Sequence, residues 1–249
     1  MFRRTAIILC LILVTLQGVA GTNLTDGFSF LERNPLFMEF MSAVRSEGNV
    51  EKAENLRLKV YAQTDEGPEA TIKRIRTDTS LARLYVETKE DTERVEELLE
   101  EAEKKLGLLG DKQGLYTLIL GSEIDGIWYL QNPRNLGKGI SSSRKINKAF
   151  KEFPQEVSSR LLKANSLLYA PSFAGGDVKR ALNMFLGLLN DAEEMLSLWD
   201  RSSLYSGIGI ACFMLEDYQN AKGYLAAAKA IYPFDAVLDD YMAQVEKAL

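Results

Sequence analysis

Apolar residues that recur three and four positions apart, in segment after segment from residue 33 to the end, are the strongest constraint this chain places on its own fold. Asp91 to Leu106 (DTERVEELLEEAEKKL) shows the pattern most clearly, with Val95, Leu98, Leu99, Ala102 and Leu106 on one stripe. Glu97 with Glu101, and Glu101 with Lys105, fall on the wet side at four-residue spacing, the first pair repulsive and the second attractive. Strict polar/apolar alternation is almost missing and β-branched residues are scattered, so strands have little support. The spacing predicts helices near 33–46, 50–64, 68–88, 91–107, 112–130, 139–152, 155–170, 177–197, 201–215, 218–231 and 234–248. Their connections are short and carry breakers: Glu47–Gly48–Asn49, Gln131–Asn132–Pro133, Gly175–Gly176–Asp177 and Glu216–Asp217. With no Pro/Gly/Ser-rich linker, residues 21–249 read as one continuous all-α domain.

The first twenty residues belong to targeting. Arg3 and Arg4 precede an unbroken apolar run from Ala6 to Leu16, and Gly18 and Ala20 supply the small side chains that signal peptidase reads. The run is shorter than the roughly 20 residues needed to span a bilayer, so a cleavable signal over 1–20 is expected, with no transmembrane segment after cleavage. Cys10 follows Leu9 in mid-run, where a lipoprotein signal would want a small residue, so an unlipidated product is expected. Cleavage removes two of 30 basic residues and none of 35 acidic ones, moving the net charge from −5 to −7, which argues against nucleic acid as a partner. The mature chain keeps only Cys212, between Ala211 and Phe213, which reads as a small buried hydrophobe and leaves no intramolecular disulfide. An acidic, thiol-poor exported chain fits a periplasmic or secreted location. There is no histidine, which removes Ser-His-Asp and Cys-His catalysis and imidazole-based zinc sites. No cofactor or metal is expected.

The helices also repeat. Tyr205 to Pro233 (YSGIGIACFMLEDYQNAKGYLAAAKAIYP) resembles the tetratricopeptide repeat, a unit of about 34 residues with the pattern W-x2-L-G-x2-Y, A-x3-F, a further alanine and a closing proline. Tyr205 takes the first aromatic position, Ile208–Gly209 the Leu-Gly pair, Cys212 the second aromatic, Asp217–Tyr218 the turn, and Ala221 and Leu225 the A-x3-F spacing. Ala228 and Pro233 close the unit, and Cys212 and Leu225 depart from consensus while staying apolar. Gly209 and Ala221 are small where the two helices of a hairpin would cross. Upstream, Gly176–Asp177, Ala181 and Phe185 repeat the frame, as do Gly137, Ile146, Ala149 and Pro154. The Pro133-x3-Gly137 and Pro171-x3-Gly175 loops correspond. Lys89–Glu90–Asp91 with Val95, Leu99 and Ala102 fits a weaker unit, and Gly48–Asn49 with Ala53 and Val60 another, in which Arg57 replaces the aromatic. The resemblance implies a tetratricopeptide-like α-solenoid of about four to five helical hairpins, with units near 33–66, 68–107, 112–154, 155–197 and 202–233 and a C-terminal capping helix at 234–249.

Such a fold offers a concave face lined by the first helix of each hairpin. On these frames that face carries Thr77, Ser80, Asn165, Tyr169, Ser206, Ile210 and Phe213, with Tyr169 and Phe213 more readily read as core. Peptide-binding members of the family often carry an asparagine where Asn165 stands. The resemblance therefore implies a non-catalytic scaffold that docks a protein or peptide partner. The signal, the irregular repeats and the Tyr169 to Asp177 segment are also similar to periplasmic tetratricopeptide proteins associated with TRAP-type transporters. That likeness implies oligomerisation and a solute-binding protein as partner. The alternative is a helical periplasmic enzyme acting on glycans through carboxylates brought together by the fold. Glu123 with Asp125, and Asp239 with Asp240, are too close in sequence to face each other on a helix. Ser206 to Gly209 (SGIG) follows no strand and precedes no G-K-[ST]. Gly175–Gly176–Asp177 reads as a helix cap. Trp128 and Tyr129, beside the Pro133 loop, are expected to pack inside. Asn23 heads an N-x-T triplet that matters only in a eukaryotic secretory route.

Overall fold

The computed structural model describes residues 23–110, 114–172 and 175–249. The expected signal segment lies outside them. Eleven α-helices follow one another among the described residues: α1 (Pro35–Ser42), α2 (Val50–Ala62), α3 (Pro68–Thr88), α4 (Thr92–Leu106), α5 (Gly114–Gln131), α6 (Leu136–Glu152), α7 (Val157–Tyr169), α8 (Val178–Ala192), α9 (Leu198–Met214), α10 (Tyr218–Ile231) and α11 (Ala236–Ala248). No strand forms among them, and a single isolated parallel bridge joins Thr25 to Glu156.

The helices begin where the sequence places a capping side chain at a breaker. Asn34 accepts from the Phe37 amide at 3.0 Å, Asn49 from Lys52 at 2.9 Å, Asp91 from Arg94 at 3.1 Å, Asp177 from Arg180 at 3.0 Å and Asp217 from Asn220 at 3.3 Å. Each such cap contributes about 1 kcal/mol and sets where a helix starts. Three boundaries differ from the periodicity. An Asx turn, in which Asn132 accepts from the Arg134 amide at 3.2 Å, closes the Pro133 loop early enough for α6 to start at Leu136. Helix α8 stops at Ala192, a 3₁₀ turn covers Glu193–Met195, and Ser197 starts α9 by accepting from the Asp200 amide at 3.0 Å. Helix α1 runs into a π-helical turn, Ala43–Glu47, which ends at Gly48 in the left-handed conformation (φ +59°).

Consecutive helices pack as neighbouring pairs: α1 with α2, α3 with α4, α5 with α6, α7 with α8 and α9 with α10. First helices also touch across pairs, α1 with α3, α3 with α5, α7 with α9 and α9 with α11, while α6 on α7 joins the two halves. Two apolar clusters result. One runs from Phe28 to Ala149 and the other takes Leu24 and α7 to α11. In α9 and α10 the close approach needs Gly209, where a Cβ would lie 2.8 Å from the Leu225 Cγ and 3.0 Å from its backbone nitrogen. Ala221, Leu225 and Ala228 face that contact without exposure, and Cys212 is buried as a free thiol.

Arg57, which stands in an aromatic place of the repeat, is explained by its partners. Its Nε donates to Asp78 at 2.8 Å and its Nη2 to Glu101 at 2.6 Å, and its guanidinium lies 4.5 Å from the Tyr61 ring centre. Tyr61 donates to the other Asp78 oxygen, and Lys105 reaches Asp78 at 3.1 Å. One buried ionic cluster thereby ties α2, α3 and α4 together.

Candidate functional site

Arg76, Ser80, Arg83 and Glu87 stand on one face of α3 at offsets of four, three and four, the spacing of a single helix stripe. The chain's own N-terminal segment covers half of that stripe. Phe28, Leu31, Phe37 and Met41 line a cavity of about 40 Å³ together with Arg76, Ser80, Trp199, Asp200 and Tyr232. That is room for about two or three waters and no larger ligand. Arg76 stacks over the Phe28 ring at 4.6 Å and ion-pairs with Glu123. Asp200 is buried on the opposite wall without an ion-pair partner, and loss of hydration pushes its pKa up to about 6.

Beyond this segment the stripe opens. Arg83 Nε donates to Glu87 at 2.7 Å, and Glu87 lies 3.5 Å from Arg45, which also pairs with Asp235 at 3.2 Å. Burial opposes the charge on Arg83, yet Glu87 and Asp235 outweigh it and raise its pKa. From α7, Tyr169 stands 55% exposed. Its hydroxyl lies within electrostatic reach of Arg83, Tyr241 and Asp235, and the surrounding protein pushes its pKa up to about 12. Asn165, one turn earlier on the same face, is half-buried and makes no hydrogen bond to a described residue. Phe213 is half-buried between Tyr218 and Tyr241, ring centres 5.8 and 5.4 Å away.

The seven positions expected on the inner face thus divide. Asn165, Tyr169 and Phe213 are at least partly accessible. Thr77 is buried and its hydroxyl donates back to Lys73 O at 2.9 Å; Ile210 is core; Ser80 lies under the N-terminal segment. Ser206 is half-buried with its hydroxyl on Ser202 O at 2.8 Å. Thr77 misses the Arg76–Ser80–Arg83–Glu87 stripe by one residue, about 100° around the helix. Arg83, Glu87 and Arg45 went unread, although the 76/80/83/87 spacing marks the α3 stripe. The carboxylate neighbours are separated as their spacing requires. Glu123 pairs with Arg76, and Asp125 with Lys145 and, at 3.2 Å, Lys138. Trp128 is half-buried and donates to Glu103 at 3.0 Å. Among the described residues no group of three or more Asp, Glu or Cys could hold a metal ion.

The fold and these residues define an all-helical protein of neighbouring helix pairs on which Tyr169 is exposed and Asn165 and Phe213 are half-buried. No family model, curated protein or solved structure matches the chain.

Proposed function

We propose that the chain is an exported, non-catalytic scaffold of the tetratricopeptide type, an α-solenoid whose groove docks a protein or peptide partner, and that it serves as an accessory component of a TRAP-type solute transport system. The observation that carries this reading is Tyr169. A large aromatic side chain 55% exposed, four residues from an asparagine that makes no hydrogen bond to a described residue, has the character of a contact residue and not of core. The order of paired helices, the close approach at Gly209 and the alanines at Ala221 and Ala228 support the repeat reading. No described helix is long and apolar enough to cross a membrane. Export would follow from the signal at residues 1–20, and the partner would be a periplasmic solute-binding protein.

Affinity capture with the full chain as bait tests the groove. Asn165→Ala and Tyr169→Ala are expected to weaken capture of the solute-binding protein by about tenfold each, while helical circular dichroism stays unchanged. Undiminished capture by both variants overturns the assignment. The transport association predicts a coding region beside genes for a solute receptor and its permease, and their absence removes its support.

A further inference from the structure

We propose that the outer stripe of α6 docks on an anionic lipid surface, with Leu136 and Ile140 entering the headgroup layer and the basic residues behind them meeting lipid phosphates. The chain carries 30 basic and 35 acidic residues, yet residues 132–180 hold ten of the former and only three of the latter. Those three acids are occupied. Glu152 lies 3.8 Å from Lys148, Glu156 is buried and accepts from the Thr25 hydroxyl at 2.6 Å, and Asp177 caps α8. Positive charge on this stretch is therefore left over, and an acidic chain presents a basic face.

The packing of α6 decides which of its residues reach solvent. Its inner side is fixed on α5: a Cβ on Gly139 would meet the Tyr129 ring at 3.1 Å, the Ser142 hydroxyl donates to Ser122 O at 2.8 Å, and the Lys145 ammonium donates to Gly121 O at 3.2 Å. Leu136, Ile140, Arg144, Lys148 and Lys151 then fall on the outer side at offsets of four, four, four and three, and all five are exposed. Leu136 is 63% and Ile140 53% exposed, one turn apart. Neither Arg144 nor Lys151 makes an ion pair with a described residue. Lys163 of α7 extends the charge, its ammonium donating to Asn147 of α6 at 2.7 Å. Burial and the nearby Arg180 lower the Lys163 pKa, a crowding of like charge that an anionic surface relieves. Arg144 to Lys151 spans about 10 Å along the helix axis, close to one Debye length at physiological salt, so these cations meet a charged plane together. A bilayer interface offers that plane with an apolar boundary roughly 5–10 Å beneath it. An acidic polypeptide would match the cations and leave the two aliphatic side chains in water.

The test uses the full chain and vesicles of phosphatidylcholine alone or mixed in equal parts with phosphatidylglycerol. The apolar run Ala6–Leu16 also favours lipid, so the reading is taken at the face itself. Ile140→Trp adds an emission, measured as the difference from the wild type, that a brominated lipid quenches on contact. On the anionic vesicles this emission is expected to shift to the blue and be quenched, and on phosphatidylcholine alone to do neither. Adding Arg144→Gln, Lys148→Gln and Lys151→Gln should weaken the quenching titration about hundredfold, since each cation at a charged bilayer contributes about fivefold. Leu136→Ser should weaken it about threefold, and helical circular dichroism should stay unchanged in every variant because all these positions are exposed. Absence of quenching on the anionic vesicles overturns the docking face, and so does quenching that the three glutamines leave unaltered. Poly-glutamate that binds the wild type as tightly as the anionic vesicles do, with Leu136→Ser without effect on either, makes the face a site for an acidic polypeptide and overturns the lipid reading.

Discussion

Asp78 shows how a single residue can hold three helices in register. Its carboxylate has no exposed surface, and Arg57, Tyr61 and Lys105 meet its two oxygens. Burial pushes its pKa up, and the two cations and the hydroxyl counter that. Removing one partner leaves the others charged and unpaired in the interior, so Asp78→Ala should cost about 3–5 kcal/mol in urea unfolding. A smaller steric cost belongs to Gly209: Gly209→Ala forces a Cβ against a backbone nitrogen that has little freedom to move, for about 1–3 kcal/mol by the same assay. Asp200 makes stability depend on pH. Its folded pKa of about 6 exceeds the ordinary 3.8, so the native state holds the proton more tightly than the unfolded chain. Stability therefore falls as pH rises from about 4 to about 6, and above that window the ionised group costs on the order of 3 kcal/mol. In thermal melts Asp200→Asn should exceed the wild type at pH 7, with the gain shrinking as pH falls from about 6 to about 4. A parallel pH profile for the two proteins would show that Asp200 is not the group responsible.

At the scale of elements, the caps and the periodicity decided where most helices lie, because both act over three or four residues. Nothing local announces the segment before α1. Thr25 donates its amide to Gln155 O at 3.0 Å, accepts from the Val157 amide at 2.9 Å, and its hydroxyl meets Glu156 at 2.6 Å. Glu156 also accepts from the Gly27 amide, and Tyr116 donates to Gly27 O at 2.9 Å. These bonds join stretches far apart in sequence and place Phe28 and Leu31 over the α3 stripe. Glu156→Ala should detach this segment while α7 persists. Amide exchange at residues 25–28 is expected to accelerate at least about tenfold, the loss of two hydrogen bonds to a buried acceptor, without loss of helical circular dichroism. Unchanged exchange there would mean that apolar packing alone holds the segment.

The molecule as a whole is joined end to end. The Phe234 amide donates to Arg45 O at 3.1 Å, Arg45 pairs with Asp235, and Trp199 and Phe234 pack against the cluster of the first six helices. A linear repeat array can lose end units one at a time, whereas here opening either end exposes the other. The wild type should therefore unfold in one transition, with Trp199 fluorescence in a Trp128→Phe background coinciding with far-ultraviolet circular dichroism. Arg45→Met should cost about 3–5 kcal/mol by stranding Asp235, and should separate the two signals. Coincident curves in that variant would place the coupling elsewhere.

By itself the sequence determined the helical class, the pairing of helices, nearly every helix start and the small residues at the α9–α10 crossing. Each rests on interactions within a turn or between adjacent helices, and local spacing encodes those. Tertiary structure alone decided what the inner face presents. Thr77 and Ile210 turned into the core, Ser80 went under the N-terminal segment, and Tyr169 came within electrostatic reach of Arg83. A rotation of one residue on a helix, about 100°, separates groove from core. The approach of residues 83, 169 and 235 to within electrostatic reach depends on how the intervening helices are stacked, which no short window of sequence contains.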